Sequence, residues 1–199
     1  FDRPSPEVAR DLIGKFLVRT LGKKKIAFMV TEVEAYGGSE DKASHARFGK
    51  TIRTTPMFNH PGIIYVFFTY GMHFMLNIVT GKEHEPSAVL IRAAGNIVGP
   101  ARLAKALAID KTLNNLPLSK KSGLWIEDRG IRLEAKQIKK TPRIGIDYAG
   151  LWVKKLWRFV LKENKTPRYV PRRRVTHRSH AALSGKTCDC LFCSNPPYL

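Results

Sequence analysis

Two carboxylates stand two residues apart in the run T-E-V-E-A-Y, residues 31–36. Side chains alternate across a strand, so this spacing puts Glu32, Glu34 and Tyr36 on one face with Phe28 and Val30. Carboxylates on a face that begins apolar are costly unless they are paired or used. Either the strand runs out to a solvated end, or one carboxylate is a general base tuned by partial burial. Glu32 and Glu34 compete for that role. His45 comes next, in a polar stretch with Arg47, Lys50, Thr51 and Arg53. A lone loop histidine is commonly a bystander, and the basic residues are ordinary phosphate contacts if nucleic acid binds. Tyr70-Gly71 then separates two apolar runs. An aromatic at such a tip either packs back on the domain or wedges between bases. Tyr36, His45, Tyr65 and Phe67 are side chains of the kind that stack on a displaced base. Finally, Cys188, Cys190 and Cys193 form C-x-C-x-x-C, with His177 and His180 upstream. Three thiolates and one histidine could bind zinc. The spacing fits no common finger pattern, and a loosely packed tail is the other reading.

Helices and strands to carry these residues can be read from the same chain. Ser5, Pro6 and Glu7 open a helix. Leu12, Ile13, Phe16 and Leu17 continue it at helical spacing, with Gly14 as an early stop signal. Gly22 marks a turn. Residues 26–36 read as a strand, and 37–61 as a long polar loop of the kind that is usually functional or disordered. Residues 63–69 and 73–79 form a hairpin around Tyr70-Gly71, and Ala88 to Arg92 a further strand. Gly99-Pro100 opens a helix over ARLAKALAI. Residues 124–127 and 131–134 suggest a second hairpin, and 143–146 and 156–162 further short strands.

The 199 residues hold 35 Lys/Arg and 16 Asp/Glu, a formal net charge of +19. That charge points to a polyanion: nucleic acid first, an anionic membrane surface second. A hydrophobic fraction of 43% excludes global disorder. Three cysteines exclude a disulfide scaffold. The longest apolar stretch, 63–79, is short for a membrane helix and is interrupted by Thr69, Gly71, His73 and Asn77. No secretory signal opens the chain, which begins at Phe1, so an intracellular protein acting away from membranes is expected. The length suits one domain, here 1–163, with a basic, cysteine-containing tail after it, 164–199.

Several runs, in order, carry a resemblance: LIGKFLVR, TEVEAYGG with DKASHA, TIRTTPMF, PGIIYVFFTYGMHFMLN, AVLIRA, GPARLAKALAI and RIGIDYAG. The chain resembles the alkyladenine (3-methyladenine) DNA glycosylases over roughly residues 3–162. The resemblance implies an α+β domain with a curved, mainly antiparallel sheet, surrounding helices and a protruding β-hairpin. It implies a monofunctional enzyme, needing no cofactor, that excises alkylated purines from double-stranded DNA as a monomer.

Residue by residue, the resemblance makes Glu34 the general base, with Arg92 and the backbone of Ile144 holding the nucleophilic water. It makes Tyr36, His45 and Phe67 the walls of the base pocket. Phe67 stands where mammalian relatives have tyrosine, keeping the π-face and losing the hydroxyl. Asn77 matches the asparagine that crowds the 2-amino group of guanine. Tyr70 matches the tyrosine that fills the gap left by the flipped nucleotide. Lys50, Thr51 and Arg53 match backbone contacts in a loop one residue shorter here. No residue outside the Cys188, Cys190, Cys193 cluster suggests a metal site, and the resemblance does not cover that cluster. A nonenzymatic DNA-binding protein and a bifunctional glycosylase/lyase are the alternatives.

Overall fold

The computed structural model describes residues 1–69 and 71–162. Tyr70 and the tail, with Cys188, Cys190 and Cys193, lie outside the described residues. In chain order the elements are α1 (Ser5–Leu12), β1 (Phe16–Leu21), β2 (Lys24–Tyr36), β3 (Ile64–Thr69), β4 (His73–Thr80), β5 (Ser87–Ala94), β6 (Ile97–Val98), α2 (Pro100–Ala106), β7 (Leu124–Glu127), β8 (Ile138–Thr141) and β9 (Arg158–Leu161). All the strands join one curled sheet in the order β3-β4-β5-β2-β1-β7, with β6 on β5, β9 on β2 and β8 on β9. Every pairing is antiparallel. The architecture is the mixed α+β single domain expected from the sequence.

Helix α1 starts with proline in its first turn and Glu7 beside its positive end. It buries Val8, Ala9 and Leu12 against the sheet. Here the sequence expectation is corrected. Phe16 and Leu17 do not continue a helical face; they begin β1, which pairs with β2 from Phe16↔Met29 to Leu21↔Lys24. Gly14 is the cause. Its φ of +84° turns the chain, and a Cβ there would stand 2.9 Å from Leu133 Cδ1. The same contact explains a second correction. Ile131 and Leu133 pack towards Gly14, and 131–134 form no strand. Strand β7 pairs with β1 instead of a hairpin partner, in the register Phe16↔Glu127 to Arg19↔Leu124. A third correction lies further on. Residues 143–146 are not a strand; β8 precedes them and Pro142, which lacks an N–H, ends it.

Strand β2 organises the molecule. Its first half pairs with β1, while its second half pairs with β5 on one edge and β9 on the other. Against β5 the register runs Val30↔Ala94, Glu32↔Ala93, Val33↔Ile91, Glu34↔Leu90. Thr31 on β2 and Arg92 on β5 are therefore the residues stepped over at these irregularities. A bulge inverts the in–out phase of the residues beyond it. Val30 thus joins Val33 and Ala35 in the main core, and Phe28 packs against it. Glu32, Glu34 and Tyr36 do not share the Phe28/Val30 face, contrary to simple alternation.

The main core runs between the sheet and the helices, with Ile64, Ile78, Val89 and Ile91 meeting Leu12 of α1 and Leu103 of α2. Strands β3 and β4 form the expected hairpin, from Ile64↔Ile78 to Thr69↔His73. Within 37–61, two 3₁₀ turns form at His45–Phe48 and Thr55–Phe58, the first capped by Ser44 Oγ. The loop is structured because its polar side chains satisfy its own backbone, as Thr51 and Thr54 do for each other.

Candidate active site

The bulge turns Glu34 away from the main core, yet its carboxylate has no exposure at all. Burial on that scale demands partners, and three donors supply them. The backbone N–H of Ile144 donates to Oε1 at 2.8 Å. The Tyr36 hydroxyl donates to Oε2 at 3.0 Å, and Arg92 Nη1 does so at 3.2 Å. Tyr36, Arg92 and Ile144 all line a cavity of about 350 Å³, so the carboxylate lies just behind its wall. Among the described residues, Oε1 accepts one hydrogen bond and Oε2 two.

Glu32 is differently used. Its Oε1 takes Arg92 Nε at 2.8 Å and Arg158 Nε at 2.7 Å. It is thus the counter-ion of two guanidiniums, one of which reaches Glu34. Burial, and then the neighbouring Glu34 charge and hydrogen bond, push the Tyr36 hydroxyl well above its ordinary pKa. Tyr36 stays a neutral donor throughout the physiological range.

Part of the cavity lining is aromatic. His45 meets Phe67 edge-on at 4.6 Å between centroids, and Tyr65 lies 5.6 Å from Phe67. His45 Nδ1 is 3.0 Å from the Tyr65 hydroxyl. Burial, then the charges of Arg53 and Arg47, push the His45 pKa from 6.5 down to about 4. Burial raises the Tyr65 hydroxyl to about 12. The pair is neutral at pH 7. Asn77 is buried at the same cavity and donates from Nδ2 to the carbonyls of Tyr65 (3.1 Å) and Met75 (3.4 Å). Its amide is thereby fixed in orientation.

The structure brings Glu34, Arg92, Tyr36, His45, Phe67, Asn77 and Ile144 to one place. Arg53 lies at its rim, with the guanidinium 5.1 Å from the Phe67 ring. Lys50 and Thr51 are exposed on the neighbouring loop and do not line the cavity.

Sequence reasoning missed other residues. Asp41 and Arg143 form a wholly buried ion pair beside Tyr36. Arg158 shares Glu32 with Arg92. Tyr148 lines the cavity, and Arg47 lies 4.7 Å from its ring. Asp41 and Arg143 both fall inside motif runs, but charge in a loop gives no sign of burial.

Known proteins define the class. A protein of Methanocella arvoryzae is 41% identical over 184 residues, covering 82% of this chain and 90% of its own length. One from Anaeromyxobacter sp. is 42% identical over 171 residues, covering 82% of this chain and 87% of its own. One from Psychrobacter cryohalolentis is 41% identical over 180 residues, covering 75% and 84%. All three are named "Putative 3-methyladenine DNA glycosylase". The class is that of the DNA glycosylases. More particularly, the chain belongs to the methylpurine-DNA glycosylase family, whose family model matches residues 1–98 and 96–165.

Proposed function

We propose that this enzyme excises alkylated purines of the 3-methyladenine type from duplex DNA by hydrolysis, leaving an abasic site. The observation that carries the reading is the fully buried Glu34 carboxylate directly behind an aromatic-walled cavity. At about 350 Å³ the cavity is at the small end of ligand sites, which suits a single base.

A base within a duplex is shielded, so the nucleotide must turn outward, at a cost of a few kcal/mol that is least for a damaged base. Tyr70 filling the vacated gap offsets that cost, as does stacking among Tyr36, His45 and Phe67. Alkylation at a ring nitrogen makes the purine cationic and a good leaving group. A desolvated cation gains about 0.5–2 kcal/mol from an aromatic face. Neutral His45 adds no opposing charge at pH 7. Base departure leaves positive charge on the sugar. Glu34 stabilises that charge and takes the proton of the attacking water. The resemblance puts Arg92 and the Ile144 backbone on that water; here Arg92 Nη1 and the Ile144 N–H donate to the carboxylate itself and hold it in place.

Asn77 biases the pocket against the guanine 2-amino group. Lys50, Thr51 and Arg53 contact the DNA backbone. Hydrolysis by water makes the enzyme monofunctional. Among the described residues no helix is long and apolar enough to cross a membrane.

The test is a panel of duplexes with one lesion each, scored for base release and, with borohydride, for a covalent complex. Release of 3-methyladenine or 7-methylguanine without trapping is the expected result. No release of any alkylated purine, or trapping of the protein on DNA, contradicts it.

A further inference from the structure

We propose that Arg143, clamped by Asp41, is a positioning residue for the Glu34 carboxylate; this rests on Glu34 being the general base. Arg143 Nη1 meets Asp41 Oδ2 at 2.6 Å and Nη2 meets Oδ1 at 2.9 Å, with neither side chain exposed. The same two residues hold three pieces of backbone. Asp41 accepts from the N–H groups of Gly37 (2.9 Å) and Ala43 (3.0 Å), and Arg143 Nη1 donates to the carbonyl of Ala35 (2.9 Å). One ion pair therefore ties the end of β2, on both sides of Tyr36, to the loop leading to His45 and to the segment after β8. The guanidinium also lies 4.8 Å from the Tyr36 ring and 5.2 Å from the Trp157 ring.

The next peptide N–H along the chain, that of Ile144, is the donor at 2.8 Å to Glu34. A rigid peptide plane transmits the placement of Arg143 to that donor. The clamp thus sets two of the three groups on the carboxylate, the Ile144 N–H and Tyr36. Stability alone accounts poorly for it. A buried ion pair is commonly no better than apolar residues of similar volume. Among the described residues, this one also leaves Arg143 Nε buried without a hydrogen-bond partner. Misplacement by about 1 Å costs a reacting group on the order of a hundredfold in rate, which gives the clamp its value.

The experiment compares two duplexes. In one, nitrogen replaces the ring oxygen of an abasic sugar and carries a positive charge, mimicking the charged sugar. In the other the abasic analogue is uncharged tetrahydrofuran. Wild type is expected to favour the charged analogue. Arg143→Lys is expected to lose at least tenfold of that preference, with affinity for the uncharged analogue kept within twofold. Its single-turnover excision of 3-methyladenine falls at least tenfold. If Arg143→Lys does not fold, isosteric Asp41→Asn carries the same comparison. Retained preference, or equal weakening on both duplexes, overturns the proposal. Glu34→Gln is the reference. If it keeps the preference, the reading of Glu34 fails; if it loses the preference and Arg143→Lys keeps it, only the role of the clamp fails.

Discussion

Glu32 and Glu34 are chemically alike and adjacent on one strand face, and their surroundings separate them. Glu32 spends one oxygen on two guanidiniums, Arg92 and Arg158, and so neutralises charge. Glu34 is wholly buried behind the cavity wall, and three donors spread over both its oxygens lock its plane. Spacing alone left the two equal, because the pairing of Arg158 with Glu32 spans 126 residues of sequence. At this scale Phe67 also makes a prediction. Base–aromatic stacking is worth about 1–3 kcal/mol per base. Phe67→Ala should lower kcat/KM on a methylated-purine duplex by about fivefold to a hundredfold, whereas Phe67→Tyr stays within a few-fold. Equal loss in both variants would mean that the phenyl face is not the contact.

Most strands were legible because β-branched and aromatic residues cluster in them, as in 26–36 and 63–69. The errors have physical causes. Leu12, Ile13, Phe16 and Leu17 fit a helical face, and only the backbone at Gly14 decides otherwise. The bulges at Thr31 and Arg92 leave no mark in residue type, yet they turn Glu34 out of the apolar core and towards the cavity. Asp41 and Arg143 are 102 residues apart, and nothing local announces that they meet. The glycine hinge is open to test. Gly14→Ala forces a Cβ onto a left-handed φ and to 2.9 Å from Leu133. A strained φ of this kind costs about 1–3 kcal/mol, so the thermal midpoint should fall by several degrees. An unchanged midpoint would show that Gly14 does not set the start of β1.

The net charge of +19 now has a place in the function. Residues 161–199 contribute eight Lys/Arg and two acids, so about two-thirds of the excess lies in the domain that carries the site. Phosphate contacts release counterions, so the logarithm of duplex affinity should fall linearly with log salt. Titration from about 50 to 200 mM salt measures this, and a flat response would contradict phosphate-driven binding. Stability has its own pH dependence. The folded His45 titrates at about 4 and an unfolded histidine near 6.5. The unfolded chain therefore binds the extra proton between those values, and stability falls as pH drops from about 6.5 towards 4, by at most about 3 kcal/mol. Denaturant unfolding across that range should show the slope, and His45→Gln should flatten it. An identical slope in the variant would assign the effect to other groups.

The proposed function rests on Glu34 as the general base. Single-turnover release of 3-methyladenine from a duplex, at saturating enzyme, compares wild type with Glu34→Gln. The variant keeps the shape but has no negative charge and no basic oxygen, and its NH2 cannot accept from the donors on one of the two oxygens. Excision should fall by at least about a hundredfold, the scale of a lost general base, with duplex affinity kept within a few-fold. Excision at the wild-type rate would contradict the assignment of Glu34 as the base.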